Sequence, residues 1–215
     1  MTPPYARYRD SGVALLGDVP EHWEVLPLKR AARIIMGQSP PSETYTEEPT
    51  ERPFLQGNAE FGARHPKPRW YCDASPKAVS SGTLLISVRA PVGALNVADQ
   101  RYGIGRGLCG IDPVPDILDP SFAWFALQTT KAVLNAVATG STYDAVSADE
   151  VGLIAFPIPP LDEQRAIADY LDRETTRLDV LAATISQAIE RLAEYRTALI
   201  TAAVTGQIDV TGASA

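Results

Sequence analysis

Residues 159–206 read PPLDEQRAIADYLDRETTRLDVLAATISQAIERLAEYRTALITAAVTG, and this stretch decides the fold. Leucine or isoleucine recurs every seven residues, a pattern that favours a helix supercoiled against a partner helix. Pro159 and Pro160 cannot continue a helix from upstream, Asp162 suits the N-cap, and Gly206 suits the left-handed position after the last turn. About 44 residues at 1.5 Å each give a helix of roughly 66 Å. We predict that this long helix is a spacer.

The predicted contact surface of the helix consists of the residues spaced seven apart together with apolar residues three positions further on. Glu174 is a polar exception to this pattern. We call the surface the leucine seam, and it comprises Leu171, Leu178, Leu181, Ile185, Leu192, Tyr195 and Leu199.

The charge of the chain is unevenly distributed. The net charge of −7 argues at face value against a nucleic-acid partner. The window 60–110, however, holds seven basic and three acidic residues, whereas residues 161–215 hold five arginines and nine acids. The basic residues are Arg64, Lys67, Arg69, Lys77, Arg89, Arg101 and Arg106. They are either an ordinary solvated surface or a DNA-binding one.

One stretch in this window interleaves basic, proline and aromatic residues, RHPKPRWY at 64–71. Arginine and lysine on such a loop can bind phosphates or guanine edges in the major groove. The alternative is a surface loop that tucks Trp70 into the core. We include Tyr143 as a further DNA-binding candidate.

The first 160 residues mix strands and helices without regular alternation, which predicts an α+β fold. The short apolar run 84–88 predicts a buried strand followed by a hairpin to 94–97. We interpret 102–111 as one strand with bulges, and Asp119-Pro120 as the start of a helix that ends at Gly140. We interpret 141–143 as a polar loop, and Cys72 and Cys109 as small buried residues.

No arrangement of residues predicts catalysis. None of the four lysines has an acidic residue two positions before it, whereas common metal-dependent nucleases require an acid-x-Lys sequence. Thr2-Pro3-Pro4-Tyr5 only superficially resembles the active-site loop of an adenine methyltransferase, and His22 and His65 have no metal partner at a suitable spacing. We expect no enzyme activity, no metal and no cofactor on this chain.

No 18-residue apolar run and no apolar signal core occur in the sequence. We therefore expect a soluble cytoplasmic protein without a membrane partner.

Several segments together resemble the specificity (S) subunit of type I restriction-modification systems. The strongest match is Pro159-Pro160-Leu161-Asp162-Glu163-Gln164, which resembles the start of the family's coiled-coil helix. Further matches, in the same order as in the family, are 17–23 (GDVPEHW), 82–87 (GTLLIS), 140–142 (GST) and 199–208 (LITAAVTGQI).

The resemblance implies that residues 17–158 are a target-recognition domain that contacts DNA, and that residues 159–206 are the spacer and dimerisation helix. The flanking residues are predicted to be a flexible tail at 1–16 and a C-terminal tail at 207–215. Family S subunits usually carry two such domains and two such helices, whereas this sequence has one of each, as in a half-length form.

The resemblance also implies the partners, which are double-stranded DNA, a methyltransferase subunit that carries S-adenosylmethionine, and a restriction subunit. Because this sequence has one domain and one helix, we predict a homodimer through the leucine seam, with the antiparallel sense taken from the family. The dimer would read a bipartite inverted-repeat target. The alternatives are a coiled-coil assembly protein without DNA specificity, and an uncharacterised nuclease or methyltransferase.

Overall fold

The computed structural model describes residues 5–14, 16–134 and 145–210. The chain divides into two compact units, Met1–Ala168 and Asp169–Ala215. The fold is α+β, as predicted, because short strands and helices alternate irregularly before one long helix.

The elements of the described residues are short except for the last helix. The strands are β1 (Tyr8–Asp10), β2 (Asp18–Pro20), β3 (Glu24–Pro27), β4 (Ala32–Met36), β5 (Pro53–Leu55), β6 (Trp70–Tyr71), β7 (Ala78–Val79), β8 (Leu84–Ser87), β9 (Leu95–Val97), β10 (Tyr102–Ile104), β11 (Leu108–Pro113) and β12 (Ala155–Ile158). The α-helices are α1 (Pro120–Thr129), α2 (Ala148–Gly152) and α3 (Leu161–Val204), and 3₁₀ turns lie at Leu28–Arg30, Ser42–Thr44 and Asn58–Glu60.

Two four-stranded sheets form the centre of the first unit. The first sheet has the order β4-β11-β8-β9, and the second sheet has the order β6-β5-β10-β7. A small apolar cluster between them includes Leu85 and Leu108 of the first sheet with Leu55, Tyr102 and Ile104 of the second.

Strand β8 explains why residues 84–86 are apolar without interruption. Leu85 belongs to the cluster between the sheets, whereas Leu84 and Ile86 belong to a larger cluster on the other face of the first sheet. That larger cluster also contains Phe122 of α1 and Phe156 of β12. Because successive side chains of a strand point to opposite faces, a strand buried on both faces has no polar alternation. The predicted hairpin to β9 is confirmed.

The prediction of one bulged strand over 102–111 is wrong. Strand β10 pairs in the second sheet with β5 and β7, and β11 pairs in the first sheet with β4 and β8. Residues 105–107 carry the chain from one sheet to the other. The glycines allow this crossing because neighbouring backbones approach them too closely for a Cβ atom.

Helix α1 begins as predicted, because the Asp119 carboxylate accepts hydrogen bonds from the backbone N–H groups of Ser121 and Phe122. It ends at Thr129, earlier than predicted, and helical backbone resumes at 131–134. Gly140 lies outside the described residues. Helix α2 was not predicted from the sequence. Ser147 and Glu150 cap its start reciprocally, and the Ser147 hydrogen bonds lower the pKa of Glu150.

The start of α3 is fixed by a fully buried side-chain amide. Gln164 Oε1 accepts a hydrogen bond from the Asp119 N–H at 2.8 Å. Gln164 Nε2 donates to the carbonyl oxygens of Ile117 at 2.9 Å and Pro159 at 2.8 Å. Because buried polar groups are costly when unpaired, these three bonds favour one position for the first turn of the helix.

The neighbouring Glu163 ties the same turn to the segment between β2 and β3. Its carboxylate accepts a hydrogen bond from Trp23 Nε1 at 2.6 Å and lies 2.9 Å from His22 Nε2. Two motifs that are more than a hundred residues apart in the sequence therefore contact each other.

The N-cap prediction for Asp162 is wrong. The helix begins at Leu161, and the Gln164 N–H already donates to the Pro160 carbonyl at 2.9 Å. The predicted end is confirmed: Gly206 has φ 71°, and the Gln207 N–H donates to the Ala202 carbonyl at 2.8 Å. Among the described residues, no helix is both long and apolar enough to cross a bilayer.

Two smaller predictions have different outcomes. The prediction of a flexible tail over 1–16 did not include β1, whose residues Tyr8–Asp10 pair with β2. Both cysteines are buried and free, as predicted. Burial raises the pKa of Cys109 to about 12.

Replacement of Gln164 by Ala should destabilise the first unit by about 3 kcal/mol, because it leaves two carbonyls and one N–H without their partner. Urea unfolding followed by tryptophan fluorescence measures this, since Trp23, Trp70 and Trp124 all lie in that unit. Gln187→Ala, at an exposed position of α3, is the matched control. Equal unfolding midpoints for the two variants would contradict the role given to Gln164.

Candidate nucleic-acid interface

The second sheet collects polar loops along one edge because of its strand directions. Strands β5 and β10 are parallel, with Leu55 opposite Ile104, so Gln56 and Gly105 leave the sheet at the same edge. Strands β6 and β7 run antiparallel to them and begin there. We call the residues at this place, namely 37–39, 56–61, 66–69, 75–77 and 105–107, the loop edge.

Three backbone segments meet at the centre of the loop edge. A Cβ on Gly37 would collide with the carbonyl of Gly105, and one on Gly105 would lie 3.0 Å from the Cα of Gln56. The Gln38 N–H donates to the Ile104 carbonyl at 2.9 Å, and the Gly105 N–H donates to the Leu55 carbonyl at 2.8 Å. The crossing is therefore hydrogen-bonded and closely packed.

Four of the predicted DNA-binding residues lie at the loop edge, and all four are exposed. Lys77 directly precedes β7, Arg106 lies in the crossing, and Lys67 and Arg69 lie on the connection from β5 to β6. Arg69 is partly neutralised, because its Nη2 lies 2.7 Å from Glu47 Oε1. Its guanidinium also lies 5.2 Å from the ring centroid of Trp70, a half-buried residue of β6.

The other predicted residues lie elsewhere. The Arg64 carbonyl accepts a hydrogen bond from Val97 of β9, and its guanidinium lies 5.7 Å from the Trp124 ring centroid. Arg89 follows β8 and forms an isolated backbone β-bridge with Ala145. Arg101 precedes β10 and so lies at the opposite edge of the second sheet. Tyr143 lies outside the described residues. The structure therefore distributes the basic window over several surfaces.

Two neutral residues of the loop edge were missed by a search for positive charge. Gln38 and Gln56 are exposed on either side of the crossing that carries Arg106. A glutamine in a loop gives no signal in the sequence, and only the pairing of β5 with β10 brings these positions together.

The second unit exposes the leucine seam. Leu178, Leu181, Ile185, Leu192, Tyr195 and Leu199 are between 46% and 66% exposed, while Leu171 is half-buried. Ile189 is also exposed and lies four residues after Ile185, so the apolar stripe is wider than the seven-residue repeat indicated. Contiguous exposed apolar stripes are typical of interaction surfaces.

Comparisons of the sequence with known proteins agree on one family. Residues 20–191 match the model of the type I restriction modification DNA specificity domain. A putative type I restriction enzyme MjaX specificity subunit from Methanocaldococcus jannaschii is 42% identical over 158 residues, which cover 73% of this chain and 37% of the relative. The type I restriction enzyme EcoBI specificity subunit from Escherichia coli is 30% identical over 159 residues, 73% of this chain and 32% of the relative.

Solved structures agree with this result. A chain from a type I R-M system, solved to explain complex assembly and conformational transition, superposes with a TM-score of 0.80 at 37% identity, over 87% of this chain and 47% of that chain. The HsdS subunit from Thermoanaerobacter tengcongensis superposes with a TM-score of 0.71 at 37% identity, over 82% and 42%.

The matched part of the chain spans between 32% and 37% of the length of the two curated relatives. Taken with the α+β fold, the loop edge and the exposed seam, the matches show that this chain belongs to the family of type I restriction-modification specificity subunits.

Proposed function

We propose that this chain is a non-catalytic, sequence-specific DNA-recognition subunit of a type I restriction-modification complex. In this proposal residues 17–158 read the target, residues 159–206 bind partner chains, and residues 207–215 are a C-terminal tail. The family match over residues 20–191 is the observation that carries the proposal.

The loop edge is the surface that we assign to DNA. Lys67 and Lys77 are exposed there, and no hydrogen bond or ion pair of their side chains occurs among the described residues. Positive side chains in this state are available to phosphates, which supply much of the affinity of DNA-binding proteins. The crossing at the same edge carries polar side chains on a backbone held by hydrogen bonds, which suits base reading.

The leucine seam is the surface that we assign to a second copy of the chain. A seven-residue repeat supports a partner helix, and the exposed seam side chains leave room for one. The antiparallel sense comes from the family rather than from the repeat. A two-fold related pair would hold two identical recognition domains at a fixed separation, so the target would be two inverted half-sites with a gap.

The partner subunits would perform the chemistry. A methyltransferase subunit would supply S-adenosylmethionine and flip the target base out of the duplex. A restriction subunit would supply cleavage. This chain would determine which sequence the other subunits act on, and its acidic α3 surface would disfavour DNA contact along the helix.

Selection of bound duplexes from a random pool, with a type I methyltransferase subunit present, tests the proposed function. We expect enrichment of two inverted half-sites separated by a fixed gap. Enrichment of no sequence would indicate the coiled-coil assembly protein instead. Cleavage or methylation by the chain alone would contradict the non-catalytic assignment.

The double variant Leu178→Asp/Ile185→Asp should convert the dimer to a monomer, because two charges would have to be buried in the seam of each helix. We expect the dimer Kd to rise at least about 100-fold, measured by light scattering over a concentration series. Ala183→Asp/Gln187→Asp adds the same charge outside the seam and should leave the mass unchanged. An unchanged mass in the seam variant would contradict the dimer.

Lys67→Ala and Lys77→Ala should each weaken binding uniformly across sequences. Each should also reduce the slope of log K against log salt by about 0.9, the value expected for one lost phosphate contact. Binding titrations between 50 and 200 mM salt measure the slope. Arg101→Ala, at the opposite edge of the second sheet, should leave it unchanged. If only Arg101→Ala lowers the slope, the loop edge is not the DNA surface.

A further inference from the structure

Three exposed polar residues lie together at the crossing of the loop edge: Gln38, Gln56 and Arg106. Their backbones are adjacent. Gln38 bonds to the carbonyl of Ile104, and Gln56 lies beside Gly105, the residue before Arg106. Among the described residues, their side chains make no hydrogen bond and no ion pair, so the two amides and the guanidinium are available to a ligand.

The backbone beneath these side chains is fixed. The Arg106 N–H donates to Ser39 Oγ at 3.1 Å, and the Leu108 N–H donates to the Gly105 carbonyl at 3.0 Å. A Cβ on Gly107 would lie 2.9 Å from the Gln56 carbonyl oxygen, so the segments are in contact. Such a backbone fixes the positions from which the three side chains extend, a constraint that base reading needs more than phosphate binding does.

The chemistry of the three residues fits the major groove. Glutamine pairs through two hydrogen bonds with N6 and N7 of adenine, and arginine pairs in the same way with O6 and N7 of guanine. The lysines of the same edge, Lys67 and Lys77, suit contacts with phosphates. The loop edge thus contains both residue types that a specific DNA interface uses.

We propose that Gln38, Gln56 and Arg106 determine the target sequence by reading purine edges in the major groove, with Arg106 on a guanine and the two glutamines on adenines. This inference rests on the proposed function, because it assigns specificity within the DNA surface proposed above. The glutamines are neutral, so their contribution is to discrimination between bases rather than to the electrostatic part of binding.

The test is selection from a random duplex pool, with the full chain and a type I methyltransferase subunit, for Gln38→Ala, Gln56→Ala and Arg106→Ala. Each variant should lose about tenfold or more of the base preference at one position of the half-site while the other positions keep theirs. The lost preference should be guanine for Arg106→Ala and adenine for each glutamine variant. The salt slope should stay unchanged for the two glutamine variants.

Two matched controls separate this role from general effects of the substitutions. Gln128→Ala removes an exposed glutamine of α1, and Arg101→Ala removes an arginine at the opposite edge of the sheet. Both should keep the selected sequence of the original chain.

The inference is overturned if all three loop-edge variants select the original sequence, or if they weaken all sequences equally. Those results would leave the proposed function intact. If the original chain itself selects no sequence, the proposed function fails first, so the two failures are distinguishable.

Discussion

The buried amide of Gln164 is the constraint on which the rest of the first unit depends. It satisfies a backbone N–H before α1 and two carbonyls that precede α1 and α3. Because each of these groups would be costly if left unpaired in the interior, the first turn of α3 has one favourable position. Glu163 adds a second tie through Trp23 and His22. Two of the segments that carry the family resemblance, 17–23 and 159–164, therefore meet at this structural junction.

Local signals in the sequence predicted the parts of the fold that local interactions determine. The repeat and Gly206 predicted α3 and its end, the run at 84–88 predicted β8, and Asp119-Pro120 predicted the start of α1. Prediction failed at 102–111, because membership of two different sheets depends on partners at 34–55 and 78–87. Asp162 is not the N-cap, because the helix already begins at Leu161 and the hydrogen bonds of Gln164 hold its first turn there. The Ser147–Glu150 capping box could have predicted α2.

The candidate site was only partly predictable for the same reason. Counting charges located Arg69, Lys77 and Arg106, but it could not separate them from Arg101, which lies at the other edge of the same sheet. That separation requires the strand directions. Gln56 and Arg106 are fifty residues apart in the sequence, and the parallel pairing of β5 with β10 makes them neighbours. That pairing cannot be predicted from the composition of the sequence or from the spacing of its residues.

At the crossing, folding depends on the main chain and not on the three exposed side chains, and this has a consequence for how such proteins diversify. Folding depends there on glycines and main-chain hydrogen bonds, whereas Gln38, Gln56 and Arg106 contribute side chains that make no intramolecular bond among the described residues. Exchanges of exposed side chains of this kind usually change the free energy of unfolding by no more than about 0.5 kcal/mol. A lineage can therefore drift through many side-chain combinations at these three positions while the scaffold beneath them stays under separate selection.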